Sequence, residues 1–372
     1  MKKYDYLIVG SGLFGSTFAR QALDDGKKVL LIDKRSHTAG NCYTEKIKGI
    51  EVHKYGPHVF HTDNKKIWEY ANRFANFNNF TYRPKVRFKD KIYSFPINLM
   101  TLYQLWGVKT PEEAMKKLES VRVKIKNPKN LEEWILSQVG QEIYETFIKE
   151  YTTKQWQRDP KELPSFIIKR LPIRLTYNDN YFDDRYQGVP IGGYTNMLKK
   201  MTDGADLQLN VDYFSDKKTL DRIAEKTIFT GKIDEYFNYD LGLLEYRTIR
   251  FEHKQMKGDF QGNVAINYTD KDTPYTRSIE HKHFEFLNTE DTIVTFEYPD
   301  EWEKSKIPLY PVNDSKNSKV YKAYKTLSES HCKNIIFGGR LAEYKYYDMH
   351  QVIGSAIHKA KKYENLLLVS FL

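Results

Sequence analysis

Residues 6–15 read Tyr6-Leu7-Ile8-Val9-Gly10-Ser11-Gly12-Leu13-Phe14-Gly15, and this stretch decides the fold. A short apolar run closes on G-x-G-x-x-G, and a helical pattern follows with Phe18, Ala22 and Leu23 on one face, stopping near Asp24-Asp25-Gly26. Val29-Leu30-Leu31-Ile32 is a second strand of the buried type and ends on Asp33. Strand, glycines, helix, strand and acid in this register are the opening of a dinucleotide-binding βαβ unit. Gly10 allows the tight turn, Gly12 lets the backbone approach a pyrophosphate, and Gly15 lets helix and strand pack closely. The helix N-terminus offers unpaired N–H groups to phosphate, and a carboxylate at Asp33 can accept from ribose hydroxyls.

The chain does not pass directly to another helix after Asp33. It runs Lys34-Arg35-Ser36-His37-Thr38-Ala39-Gly40-Asn41-Cys42-Tyr43, which resembles the glycine-containing extension of flavoproteins of the glutathione-reductase and amine-oxidase type. Ile228-Phe229-Thr230-Gly231 resembles a later strand of such a domain. Gly338-Gly339-Arg340 precedes Tyr347-Asp348-Met349-His350-Gln351-Val352, predicted to start a helix whose positive end faces a flavin. FAD is therefore the expected cofactor, and the absence of a second G-x-G-x-x-G argues against a separate NAD(P)H domain.

Further along, Asn64 to Phe77 is predicted helical. Thr110-Pro111-Glu112-Glu113 places an N-cap, a proline at N1 and a capping-box glutamate, and Asn130-Leu131-Glu132-Glu133 repeats the pattern without the proline. Residues 110–158 read as a helical lobe. Strand-like segments dominate from Leu207 to Tyr298, and Asn334 to Gly339 is a last buried strand.

Composition narrows the function classes. The 372 residues carry a net charge of +10, so anionic partners are favoured, including phosphorylated small molecules. The densest basic stretch, Lys116 to Lys129, also holds Glu119 and reads as a solvated face; no nucleic-acid recognition module is recognisable. No apolar run reaches the roughly 20 residues of a membrane span, and no signal-peptide pattern opens the chain. The only cysteines are Cys42 and Cys332, as expected of reduced cytoplasmic thiols and not of a disulfide framework or a zinc site. No metal is expected.

A more specific resemblance runs over essentially the whole chain. Tyr55-Gly56-Pro57-His58-Val59-Phe60-His61-Thr62-Asp63-Asn64 is similar to the signature of UDP-galactopyranose mutases. So, in order, are Ser94-Phe95-Pro96-Ile97-Asn98-Leu99, Tyr151-Thr152-Thr153-Lys154-Gln155-Trp156, Lys169-Arg170-Leu171-Pro172, Asn180-Tyr181-Phe182, Pro274-Tyr275-Thr276-Arg277, Glu280-His281-Lys282, Tyr310-Pro311 and Gly339-Arg340-Leu341. The resemblance implies an α/β chain: a Rossmann-like FAD-binding domain, a helical lobe and an antiparallel β-sheet lobe, interleaved along the sequence. The expected division is 1–80, 190–240 and 320–372 for the FAD domain, 100–165 for the helical lobe, and 80–100, 166–189 and 241–319 for the sheet lobe.

It also implies an isomerase that interconverts UDP-galactopyranose and UDP-galactofuranose for cell-surface glycans, with reduced flavin N5 as nucleophile toward the anomeric carbon. UDP-N-acetylgalactosamine mutase and amine-oxidase-type oxidoreductase are the alternatives, and a homodimer is expected. Arg170 and Arg277 match the arginines that face the diphosphate, and His58 a position beside the flavin. Tyr82, Phe147, Tyr151, Thr152, Trp156, Tyr181, Asn267, Tyr310 and Tyr346 match substrate contacts, with Tyr82 standing where typical members carry asparagine. Cofactor contacts are expected from Gly10, Gly12, Leu13, Phe14, Gly15, Asp33, Lys34, Gly40, Asn41, His58, Val59, Phe214, Arg340, Tyr347, Asp348, Met349, His350, Gln351 and Val352.

Overall fold

The computed structural model describes residues 2–165 and 172–369. Its first layer is a five-stranded parallel sheet in the order Ile335–Phe337, Ala224–Phe229, Tyr4–Val9, Val29–Asp33, Asp206–Leu209. Leu7, Ile8, Leu30, Leu31, Ile32 and Ile228 are wholly buried in it. Helices cover both faces of such a sheet, so its strands read as unbroken apolar runs and not as alternation. The helix Leu13–Asp24 packs against the C-terminal helix Met349–Val369, and Phe18 meets Tyr6 edge to face at 5.4 Å. The strands come from five separated stretches of chain, so the other layers are insertions between them.

The second layer is a seven-stranded sheet: Tyr310–Pro311, Tyr246–Lys257, Asp291–Asp300, Arg277–Glu280, Ala265–Tyr268, Lys85–Phe88, Lys91–Ser94. The sequence reading expects an antiparallel sheet, and the sheet departs from that at one pair, where Ala265–Tyr268 joins Lys85–Phe88 in parallel. Register partners share a face of a sheet. Phe251 lies opposite Glu297, Glu297 opposite Arg277, Arg277 opposite Asn267, and Asn267 opposite Val86. One row of side chains therefore crosses the sheet on a single face.

The third layer is helical. Thr110 caps the helix Pro111–Val121 in a reciprocal capping box with Glu113. Asn130 caps Leu131–Ile143, while Glu133 accepts from the Lys129 amide one residue earlier. A π-helical turn at Tyr144–Lys149 leads into Glu150–Trp156; such turns re-aim the side chains that follow them. Leu118, Ile135 and Val139 pack in one cluster with Val86 and Tyr93 of the sheet.

Three boundaries differ from the sequence reading. The helix capped by Asn64 ends at Asn72, because the chain then pairs Phe77 with Pro190 and Asn76 with Ile191. The final helix begins at Met349, not Tyr347. The Leu207–Tyr298 stretch also contains the short helices Lys217–Ile223 and Ile233–Tyr236. Among the described residues no helix is long and apolar enough to cross a membrane.

Gly140 holds φ 78° inside its helical segment, and a Cβ there would stand 2.4 Å from the Val121 carbonyl oxygen. Gly49 has φ 85° with open space around it. Gly140→Ala is expected to cost about 2 kcal/mol or more, against about 1 kcal/mol for Gly49→Ala, whose strain is conformational alone. Thermal melts of the two variants compare them directly.

Candidate functional site

The dinucleotide cleft opens at the C-terminal ends of the parallel strands. Side chains at its glycines would collide with the fold itself: a Cβ on Gly10 would lie 2.1 Å from Thr230 Oγ1, and one on Gly15 2.0 Å from the Gly10 carbonyl oxygen. Asp33 Oδ2 accepts from the Ser11 amide and hydroxyl at 2.8 and 2.7 Å, and Oδ1 accepts from the Arg35 amide at 3.0 Å. This acid thus fixes the glycine turn as well as ending its strand. Arg35 lines the same cleft, donates to Asn41 Oδ1 at 2.9 Å and lies over the Tyr55 ring at 4.7 Å. Its Nη1 is buried with no protein partner. A buried guanidinium nitrogen left unsatisfied in a glycine-built cleft fits an anionic ligand such as a pyrophosphate.

Gly10, Gly12, Leu13, Phe14, Gly15, Asp33, Lys34, Gly40, Asn41, His58, Phe214, Arg340, Met349 and Val352 all line this cleft. Val59 instead packs with Phe80 and Tyr82 in a separate cluster. Tyr347, Asp348, His350 and Gln351 lie outside the lining and organise the helix start, where Gln351 Oε1 accepts from the Asp348 amide at 2.9 Å. His350 sits edge-on to His61 at 5.2 Å. Arg340 donates to the carbonyls of Leu309 and Tyr347 at 3.1 and 2.6 Å, tying an edge strand of the second sheet to the approach of the last helix.

His58 stands where this cleft meets the second sheet. Its Nδ1 lies 2.9 Å from the Gly56 carbonyl, which can only accept, so Nδ1 carries the proton. Burial lowers the ring to about 4, with Arg340 and Arg277 adding to the effect. At neutral pH the imidazole is uncharged and Nε2 is an acceptor. His61 takes a different place, hydrogen-bonded to Asp184 at 2.7 Å and stacked on Phe182 at 3.6 Å.

The crossing row of the sheet supplies the other wall. Arg277 meets Glu297 through Nε to Oε2 at 2.9 Å and Nη2 to Oε1 at 3.0 Å. Burial alone would lower the guanidinium, but Glu297, Tyr82, Tyr151 and Tyr310 hold it above its ordinary value. Burial raises the Glu297 carboxyl and Arg277 opposes it; the two-point contact keeps the pair ionised. The same residues cluster around it: burial drives Tyr82 and Tyr151 up, and Tyr310 to about 12. Asn267 donates to the Lys85 carbonyl at 3.3 Å. Tyr310 and Tyr346 stack at 5.1 Å, and Tyr82 meets Tyr181 edge-on at 5.4 Å. Thr152 is buried, and Phe147 is buried against Tyr93 in the helical core. Arg170 lies outside the described residues.

Comparison with known proteins now decides the family. A family model described as UDP-galactopyranose mutase matches residues 146–346, and one described as an NAD(P)-binding Rossmann-like domain matches residues 8–74. The chain belongs to the UDP-galactopyranose mutase family. The dTDP-fucopyranose mutase of Escherichia coli is 38% identical, with 96% of this chain and 97% of that one covered. The "Probable UDP-galactopyranose mutase" of Klebsiella pneumoniae is 37% identical over 98% and 95%. A crystal structure of reduced UDP-galactopyranose mutase superposes with a TM-score of 0.73 at 13% identity, covering 98% and 96%. A fatty acid isomerase from P. acnes reaches 0.63 at 11% identity over 97% and 99%, so the fold alone is shared more widely than the family. The protein is accordingly a mutase, an isomerising enzyme with a Rossmann-like dinucleotide-binding domain.

Sequence reading missed three residues that build this mutase site. Glu297 is 20 positions from Arg277 and meets it only through strand register. Arg247 lies over the Trp156 ring at 4.4 Å. Lys154 lies inside the quoted Tyr151–Trp156 motif, yet its role needs the fold. Its ammonium donates to the carbonyls of Tyr268, Thr273 and Tyr275 at 2.9, 2.9 and 3.3 Å. The helix carrying Tyr151, Thr152 and Trp156 is thereby tied to the hairpin between Asn267 and Arg277. Lys154→Met leaves three carbonyls without their donor, and is expected to cost about 2–3 kcal/mol of stability. It should also raise KM more than it lowers kcat, with flavin content unchanged. Melting curves and steady-state kinetics on one preparation check both.

Proposed function

We propose that this enzyme interconverts UDP-galactopyranose and UDP-galactofuranose with FAD as cofactor. The observation that carries the reading is the Arg277–Glu297 pair, ringed by Tyr82, Tyr151 and Tyr310 and electrostatically coupled to His58 at the mouth of the dinucleotide cleft. Reduced FAD, when bound, supplies a nucleophile for the anomeric carbon without net redox change.

The chain's own residues hold the rest. Gly10, Gly12 and Gly15 bring backbone N–H groups to the cofactor pyrophosphate, and Arg35 Nη1 adds a cation at the same cleft. Arg277 presents a fixed guanidinium to the sugar diphosphate, with Arg170 as its second cation. Asn267 and the tyrosine hydroxyls supply further donors beside Arg277. The neutral His58 ring offers a hydrogen-bond acceptor at Nε2 at the junction of cofactor and sugar. We further infer a cytoplasmic homodimer. The two free cysteines suit the compartment, and exposed Met100, Tyr103, Met115 and Val123 on the helical layer suit a subunit contact.

A second reading takes its support from the Escherichia coli relative, whose name specifies a thymidine-linked sugar. Dithionite-reduced enzyme offered UDP-galactopyranose, dTDP-fucopyranose and UDP-N-acetylgalactosamine separately, with products resolved by chromatography, distinguishes the substrates. UDP-galactofuranose is the expected product, with no reductant consumed per turnover and no activity in the oxidised state. Equal oxidised-state activity, or stoichiometric reductant use, returns the protein to the oxidoreductases.

Arg277→Ala and Arg170→Ala are each expected to lose about 100-fold or more in kcat/KM, the size of other lost charge-stabilising contacts, while retaining bound FAD. Near parental rates in either variant would remove that arginine from the diphosphate site.

A further inference from the structure

His58 is one end of a line of imidazoles that continues behind the cleft through His53 and His281 to His253. Its backbone amide donates to His53 Nδ1 at 3.0 Å, and the His53 amide donates to His281 Nδ1 at 3.2 Å. His281 Nε2 lies 2.6 Å from the Thr295 hydroxyl, which lies 2.6 Å from His253 Nδ1 in turn. His53, His281 and Thr295 are buried. His253 is half-buried on the strand Tyr246–Lys257, directly opposite Thr295.

The backbone donors settle every proton in this line. An amide N–H can only donate, so Nδ1 of His53 and of His281 must accept, and in a neutral ring the proton then sits on Nε2. His281 Nε2–H therefore donates to Thr295 Oγ1, and that hydroxyl donates onward to His253 Nδ1. His58 is the opposite tautomer, with its proton on Nδ1 facing the Gly56 carbonyl. Burial lowers His53 well below its ordinary value, His281 to about 3 and His253 to about 4. Neighbouring imidazoles add to the effect at His53 and His281, and Lys54 adds to it at His281 and His253, where Glu45 opposes it. The rings are thus neutral at neutral pH, and the line is satisfied in one direction. His58 is held at two points, its ring by the Gly56 carbonyl and its amide by His53. Both holds lead to the strand Asp291–Asp300: Glu297 abuts Gly56, and Thr295, two residues earlier, shares its face.

We propose, resting on the reading that places His58 between cofactor and sugar, that His53 is a positioning residue for the reaction: its Nδ1 fixes the loop that presents His58, and the link through His281 and Thr295 to His253 registers that loop on the strand bearing Glu297. The spacing between His58 and the Arg277–Glu297 pair is then set by directional bonds as well as by packing. A buried amide that loses its acceptor must turn to find another. Such a turn displaces His58 at the reacting centre and leaves the residues that hold the nucleotide where they are, so it slows turnover without weakening binding.

Two substitutions separate positioning from packing, because the His53 ring also stacks on Phe284 at 4.3 Å and meets Tyr194 edge-on at 5.7 Å. His53→Phe keeps the ring and loses the acceptor; His53→Asn loses the ring and keeps an acceptor near Nδ1. With the full FAD-loaded chain, reduced by dithionite and given UDP-galactopyranose, His53→Phe is expected to lose about tenfold or more in kcat with KM within about twofold of the parent. His53→Asn is expected to melt lower than His53→Phe and yet keep kcat within about threefold of the parent. Thr295→Val, which removes only the linking hydroxyl, should lower kcat by about threefold or more at unchanged KM, and decides the matter alone if His53→Phe does not fold. A second readout is independent of turnover: imidazole nitrogen NMR of the FAD-loaded parent at neutral pH should show His53, His281 and His253 as neutral Nε2–H tautomers and His58 as Nδ1–H. A kcat within about twofold of the parent in both His53→Phe and Thr295→Val overturns the proposal, as does a kcat that follows the melting temperature across the two His53 variants, or an Nδ1–H proton on His53 or His281. His58→Phe is the reference. A parent without turnover, or a His58→Phe variant at the parental rate, overturns the reading of His58 and this inference together; a slow His58→Phe beside an unaffected His53→Phe overturns this inference alone.

Discussion

The two-point contact between Arg277 and Glu297 organises the substrate side of the molecule. Glu297 is buried and Arg277 only partly exposed, and removing the arginine would leave an uncompensated buried carboxylate at a cost of several kcal/mol. They are direct partners on neighbouring antiparallel strands, so the pair and the strand register fix each other. A slip of one residue would send both side chains to the opposite face and dismantle the row from Phe251 to Asn267. Glu297 also reaches the far side of the cleft. A Cβ on Gly56 would stand 3.3 Å from its Oε1, and Gly56 holds φ 93°. The loop that presents His58 can settle there because residue 56 has no side chain. His58 in turn donates to the Gly56 carbonyl. One chain of contacts, Arg277 to Glu297 to Gly56 to His58, therefore sets the second sheet against the dinucleotide cleft.

Lys154 performs the corresponding task between the helical layer and the sheet. An ammonium with three carbonyl partners is well satisfied without a carboxylate in direct contact, which suits a position where burial lowers its pKa and Asp270 and Glu150 only partly oppose the shift. Because its acceptors belong to the hairpin between Asn267 and Arg277, helix and row move as a unit. The π-helical turn just before this helix is consistent with that demand: it adjusts the rotation of the residues from Tyr151 onward so that they face the sheet.

The dinucleotide half was legible in sequence because its information is local. The spacing of Gly10, Gly12 and Gly15, the apolar strands on either side and the terminal Asp33 all fall within thirty or so residues, and each element constrains its neighbour. Even there, Asp33 proved to grip Ser11, a contact that spacing alone does not reveal. The substrate half depends on pairings across long separations. Arg277 could be named from its motif, but not Glu297, whose position opposite it exists only in the folded sheet. Lys154 could be seen in its motif, but its acceptors lie 114 to 121 positions away. Arg247 carried no motif at all. The helix from Asn64 stopped short for the same reason: its periodicity continued to Phe77, yet tertiary pairing with the Pro190 segment claimed those last residues.

A fold shared by mutases and by a fatty acid isomerase cannot itself specify a nucleotide-sugar substrate, so specificity must reside in what the second sheet presents to the cleft. Here that is a fixed ion pair set among phenols, with further guanidiniums held over aromatic rings. Where Tyr82 and Glu297 are buried the local dielectric is low, and charge acts more strongly there than it would in solution. Pairing Arg277 with Glu297 tempers that strength. On the nucleotide-sugar reading proposed above, attraction for the diphosphate that is uniform along the reaction lowers KM without raising kcat. A guanidinium already anchored by a carboxylate keeps its geometry while holding less net attraction for the resting anion. On that same nucleotide-sugar reading, a diphosphate gains most from such a guanidinium where its own charge grows.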